Sequence, residues 1–216
     1  MAVNPQLIKE NEVSNPNEFK EFKIIIIGDS GVGKSSIIKR ACKNKFDENY
    51  QATVGFEFLT QYYIVNEAKI KLQLWDTCGQ EMYRSLVQGF YRNTSLAVIV
   101  YDIIRKETFE SLDTWINDIR SRHEQEVPIF IVGNKEDLEN DRKISFKEAQ
   151  DFSKSRSAKF FIECSAKTAK NVDNIFYEVA KYIYNDKDLL KGKNSSNKLK
   201  IGNNDEEITK KKKGCC

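Results

Sequence analysis

Apolar residues follow two rhythms along this chain. Phe22–Ile27, Leu96–Asp102 and Val127–Val132 are short runs with few polar interruptions, as in strands covered on both faces of a sheet. Lys69–Trp75 alternates instead, with Ile70, Leu72 and Leu74 on one side and Lys71 and Gln73 on the other. Together with Phe56–Val65 it flanks Asn66-Glu67, which predicts a hairpin and so one antiparallel pair. Lys159–Glu163 reads as the last strand. Helical spacing fills the intervals: Lys34 to about Lys43, Lys106–Arg122, Ser145–Ser155 and Asn171–Tyr184, with Met82–Tyr91 only weakly helical. Phe109, Leu112, Trp115, Ile116 and Ile119 share one helix face, and Val172, Ile175, Phe176, Val179, Ala180 and Ile183 another. Ser145 and Glu148 match a capping box. The alternation predicts an α/β fold: a three-layer, doubly wound, mostly parallel six-stranded sheet with one antiparallel strand.

Composition supports one domain with tails. The chain has 216 residues and is 40% hydrophobic, which supplies a core and excludes wholesale disorder. Residues 1–18 are polar and without clear period, and are expected to form a flexible arm; 19–185 form the domain and 186–216 a disordered tail. The net charge of +3 is too small to indicate nucleic acid. It also belongs to the tail, where from Asp186 onward nine lysines face five acids. The five cysteines have no zinc-site spacing, no signal-peptide pattern opens the chain, and a reduced cytosolic setting is expected. One histidine, His123, lies in a charged stretch, which leaves Ser/His or His-metal chemistry without its parts.

The candidate chemistry lies where strands end. Gly28-Asp29-Ser30-Gly31-Val32-Gly33-Lys34-Ser35 follows an apolar strand and opens a helix, the setting of a phosphate-binding loop. Glycines allow a tight turn that aims N–H groups of Ser30, Gly31, Val32 and Gly33 at one point, and the helix adds its own. Lys34 is placed for the β- and γ-phosphates and Ser35 for Mg2+. Asp76, in Trp75-Asp76-Thr77-Cys78-Gly79-Gln80-Glu81, can hold the same metal through water. Gly79 can offer an N–H to the terminal phosphate, and Gln80 can orient an attacking water. The hydroxyl of Thr53 can complete the metal shell when a γ-phosphate is present. In Asn134-Lys135-Glu136-Asp137, the Asp137 carboxylate matches the N1–H and exocyclic amine of guanine, and adenine offers it no such pair. The stem of Lys135 can pack over the base, and Ser165-Ala166-Lys167 adds a backbone N–H for the base oxygen.

These motifs, in this order, resemble the small GTPases of the Ras superfamily, on a P-loop NTPase fold. Val54–Phe58, Lys71–Trp75, Phe90-Tyr91-Arg92, Val100–Ile103 and the terminal Cys215-Cys216 resemble the Rab family. The resemblance implies a GDP/GTP switch with slow intrinsic hydrolysis that regulates vesicle traffic. It implies that Phe46 packs on guanine, that Ser36 touches the α-phosphate, and that 50–58 and 78–90 are switch segments read by effectors. It implies a monomer that meets an exchange factor, an activating protein, a dissociation inhibitor and prenylation machinery, with no nucleic-acid partner. Cys215 and Cys216 would carry two geranylgeranyl groups, and Lys210–Lys213 would add attraction to an anionic leaflet. The expected location is the cytoplasmic face of endomembranes, with a cytosolic pool. Departures from the family pattern include Cys78, Met82, Tyr83, Glu57 and Ile104; none is a phosphate or metal ligand. Cys78 motivates an alternative reading, a GTP-binding scaffold with very weak hydrolysis. An ATP-dependent kinase would need an adenine site and an acceptor lid, and the sequence offers neither.

Overall fold

The computed structural model describes residues 3–48, 56–77, 91–122 and 126–191. Seven strands form one sheet: β1 (Gln6–Ile8), β2 (Lys20–Ile27), β3 (Phe56–Val65), β4 (Ala68–Thr77), β5 (Leu96–Asp102), β6 (Ile129–Asn134) and β7 (Phe160–Glu163). Their order across the sheet is β1-β3-β4-β2-β5-β6-β7. The helices are α1 (Lys34–Lys43), α2 (Lys106–Glu110), α3 (Leu112–Arg122), α4 (Phe146–Ser155), α5 (Val172–Asn185) and α6 (Lys187–Lys191). β3 is antiparallel to both β1 and β4, so it alone runs against the other six. All six expected strands form, and β1 is a seventh.

The central strands create the three layers through their two-residue period. Ile24 and Ile26 of β2, Leu96, Val98 and Val100 of β5, and Phe130 and Val132 of β6 meet Ile37 and Ile38 of α1 and the apolar face of α5. The intervening Ile25, Ile27, Ala97, Ile99, Tyr101, Ile129 and Ile131 meet Trp115, Ile116 and Ile119 of α3 and Ala149 of α4. Each strand therefore feeds two cores, which is why its sequence shows no polar face.

Four expectations are corrected. The arm is not without regular structure, because Gln6–Ile8 pairs with Tyr62–Ile64 along the open edge of β3. Pro5 is buried and Val3 packs on the core, so backbone pairing and two apolar contacts replace the missing periodicity. The tail does not begin at Asp186, since Lys187–Lys191 is helical, with Leu189 buried and Leu190 against the core. The expected helix Lys106–Arg122 is two helices joined at Ser111, which caps α2. The loop 134–137 starts later than expected: Asn134 is the last residue of β6, and a 3-10 turn occupies Glu136–Asp141. The Ser145 half of the capping box forms, with Ser145 Oγ accepting from the Glu148 N–H at 3.1 Å.

Parallel register aligns the strand ends on one rim. Ile26 lies beside Asp76, Asp102 beside Asn134, and Gly133 beside Glu163. β2 occupies the middle of the sheet, where the order of strands reverses, and the loop 28–35 leaves its end.

Candidate functional site

The glycine loop departs from β2 through Gly28 (φ 138°), whose added Cβ would sit 2.2 Å from the Val100 carbonyl oxygen. Only glycine lets the chain turn that close to β5. Gly33 (φ 98°) is the N-cap of α1, and a Cβ there would strike Asn134 Nδ2 at 2.2 Å. Between them Val32 is buried, and Lys34, the first residue of α1 and 5% exposed, folds back over the loop. Its ammonium donates to the carbonyls of Gly28 at 2.9 Å and Asp29 at 2.8 Å, so the charge is held at the centre of the turn. Ser35 and Ser36 are half-buried in the first turn of α1. That helix end turns its first N–H groups, which have no intrahelical partner, and its positive dipole to the same space.

Asn134 joins three loops. It is buried, its Nδ2 donates to the Val32 carbonyl at 2.8 Å, and its Oδ1 accepts from the Ala166 N–H at 3.1 Å. The Glu136 N–H donates to the Cys164 carbonyl at 3.0 Å, which ties the second and third loops again. Asp137 is exposed, and Ser165 Oγ, itself fully buried, donates to its Oδ1 at 2.5 Å. Lys135 adopts φ 70°, and its ammonium lies 2.6 Å from Oδ2 of Asp102. Lys167 is exposed and pairs with Glu48 at 3.1 Å. Arg40 of α1 donates to the carbonyls of Ala166 and Lys167, both at 2.9 Å, and its guanidinium lies 5.9 Å from the centre of the half-buried Phe46 ring. Asp76 is a buried carboxylate at the end of β4.

The structure thus brings together Ser30 to Ser36, Asn134, Lys135, Asp137 and Ser165 to Lys167 at one rim, with Phe46 close by. Thr53, Gly79 and Gln80, together with Cys78, Cys215 and Cys216, lie outside the described residues. Sequence reasoning missed Asp102, Arg105, Arg40 and Trp115. Trp115 Nε1 donates to Asp29 Oδ1 at 2.8 Å and braces the loop from α3. Asp102, a fully buried acid at the end of a strand on this rim, carried a signal in its position alone.

The site chemistry does not include a preformed metal cage: among the described residues no three His, Cys, Asp or Glu side chains cluster. A hydroxyl on Ser35 and one carboxylate on Asp76 suit Mg2+, which keeps waters and takes its remaining ligands from phosphates.

A glycine loop between a central parallel strand and a helix, at the carboxyl rim of a doubly wound sheet, defines the class of phosphate-loop α/β proteins. A model of the Ras family matches residues 23–185. The chain is 41% identical over 203 residues to Ras-related protein RABA1e of Arabidopsis thaliana, covering 90% of this chain and 93% of that protein. It is 42% identical over 163 residues to Ras-related protein Rab11B of Nicotiana tabacum, covering 76% and 75%. The chain belongs to the Ras family, as one of its Rab-type small GTPases.

Proposed function

We propose that this chain is a switch that binds GDP or GTP with Mg2+, hydrolyses GTP slowly by itself, and recruits effectors that direct vesicle traffic. One observation carries the reading: Asn134 ties the glycine loop to both loops that would read the base. This tie supports the reading, because a nucleoside polyphosphate needs its phosphate cradle and its base pocket at a set distance.

In this reading the N–H groups of Ser30, Gly31, Val32, Gly33, Lys34 and Ser35 and the Lys34 ammonium bind the phosphates. Ser36 meets the α-phosphate. Ser35 and Asp76 hold Mg2+, which supplies charge neutralisation on the β- and γ-phosphates when bound. Thr53 joins the metal shell and Gly79 the γ-phosphate, while Gln80 orients the water. Phe46 and Lys135 sandwich the base, Asp137 reads its edge, and Ala166 meets its oxygen. Partners follow from the family: an exchange factor, an activating protein, a dissociation inhibitor, prenylation machinery and effectors, with the chain as a monomer. Membrane attachment rests on Cys215 and Cys216. Among the described residues no helix is long and apolar enough to cross a bilayer.

Displacement of fluorescent GDP from the purified chain tests the binding half: GTP should compete, and ATP should fail even at a hundredfold excess. Single-turnover hydrolysis tests the other half. A slow rate that an activating extract raises supports the switch; no hydrolysis under either condition leaves a GTP-binding scaffold.

A further inference from the structure

Arg105 lies outside every motif above, yet it touches the glycine loop. Its Nη2 donates to the Ser30 carbonyl at 2.9 Å, and its Nε donates to Asp102 Oδ2 at 3.0 Å. A Cβ on Gly31 would lie 3.6 Å from Nη2, so the guanidinium rests against that residue. The root of the side chain is fixed as well. Arg105 N–H donates to the Asp102 carbonyl at 3.1 Å, and its own carbonyl accepts from Thr108 Oγ1 at 2.8 Å. Asp102 is fully buried, and its Oδ1 accepts the Ile104 N–H at 3.1 Å while Oδ2 also meets Lys135 Nζ at 2.6 Å. One carboxylate therefore anchors a cation from the base-reading loop and a cation that grips the phosphate loop.

Resting on the nucleotide-binding reading, we propose that Arg105 is a positioning residue that sets the peptide between Ser30 and Gly31 for phosphate binding. The physical reason is planarity. In a trans peptide the C=O and the N–H point in opposite directions. Holding the Ser30 oxygen outward, on the guanidinium, turns the Gly31 N–H the other way, into the cradle. Without the clamp, a glycine at φ 74° can flip that peptide at little cost. Asp102 supplies the fixed point, since it cannot move without unseating Lys135.

A lysine retains the charge but is a single-point donor on a flexible stem, and cannot span Asp102 and Ser30 in the same fork. The experiment follows the release of fluorescent GDP, with Mg2+ present, from wild type, Arg105→Ala and Arg105→Lys, and the ratio of GDP to IDP affinity in each. Arg105 is partly exposed, so both variants are expected to fold. Release should quicken about tenfold or more in both, the scale of one charge-assisted hydrogen bond. The GDP to IDP ratio, set by the 2-amino group at Asp137, should stay as in wild type. Unchanged release in Arg105→Ala overturns the proposal. Wild-type behaviour in Arg105→Lys alone overturns it too, because charge then suffices. So does faster release joined to a loss of base discrimination, the mark of a site that has merely loosened. If wild type binds no guanine nucleotide, the parent reading falls as well, which separates the two failures.

Discussion

Asp137 is an exposed carboxylate whose aim depends on one buried hydroxyl. Ser165 Oγ donates to it and accepts the Thr168 N–H at 3.0 Å, so the loop 165–168 sets the direction of the acid. Guanine presents two donors to such an acid, whereas xanthine presents an oxygen where guanine has its amine. An amide offers one donor and one acceptor. Asp137→Asn should therefore weaken GDP by about two orders of magnitude and shift preference to xanthosine diphosphate, read by displacement; intact guanine affinity would remove Asp137 from the base site. Asn134 carries more structural consequence. Asn134→Ala leaves the Val32 carbonyl and Ala166 N–H buried without their partner, at about 1–3 kcal/mol each. Nucleotide release should quicken by more than tenfold, and the chain should unfold at lower denaturant. The cysteines make a simpler test. Burial pushes the Cys42 thiol up to about 12, and raises Cys164 further still. A raised thiol stays protonated below its folded value, so at pH 8 both should resist iodoacetamide until the chain is unfolded, as peptide mass spectrometry would show. Alkylation of Cys164 in the native protein would contradict its burial.

At the scale of elements, legibility followed length and period. β2, β5 and β6 are buried on both faces and α5 carries an unbroken apolar stripe, so their patterns survive any context. β1 and α6 have three and five residues, too few for a period to show, and each exists because another element receives it. The open edge of β3 receives β1, and the Tyr177 hydroxyl donates to Asn4 beside it. The end of β2 receives α6 through the Lys20 ammonium and the Leu190 carbonyl. The break at Ser111 is local instead: its hydroxyl and its N–H both donate back to the Glu107 carbonyl, at 2.9 and 3.0 Å. In the candidate site, the glycine loop, Asp76 and Asp137 could be placed at the rim from the sequence because each lies at or just past a strand end, and the roles proposed for them would restrict residue type. Arg105 and Arg40 act on backbone carbonyls, which any sequence supplies, so nothing in the spacing marked them. Leu189→Ala tests whether α6 belongs to the domain. Truncating a buried leucine costs about 2–5 kcal/mol, and a terminal helix that can fray belongs at the low end. The melting temperature should fall by about 4–8 °C, with guanine preference unaffected. An unchanged melting point would return residues 187–191 to the tail.

At the scale of the whole molecule, the rim is held from above by few side chains and from below by a dense sheet. Asn134, Arg40, Trp115 and Arg105 are the struts, and each of them ends on a loop. The two cores beneath are continuous from β2 to β6, and from the loops at the rim Val32, Cys164 and Ala166 reach into the first of them. Folding and ligand binding are therefore coupled mainly through the rim. A nucleotide that contacts the glycine loop, Asp137 and Ala166 together adds its binding energy to the folded state alone, since the unfolded chain holds none of these groups in register. At a ligand concentration about a thousand times the dissociation constant, the stabilisation is about 4 kcal/mol. For a domain of this size that corresponds to a rise of about 8–16 °C in melting temperature. GDP with Mg2+ should produce the rise and ADP with Mg2+ should not, because adenine leaves the Asp137 carboxylate without donors. Chelating the metal should reduce the GDP effect without abolishing it: Ser35 and Asp76 lose their cation, while the Lys34 ammonium and the backbone donors remain. Equal shifts with GDP and ADP would mean that the cradle alone binds and the base is not read. No shift with either would mean that the tie between the glycine loop and the base-reading loops serves the fold and not a nucleotide.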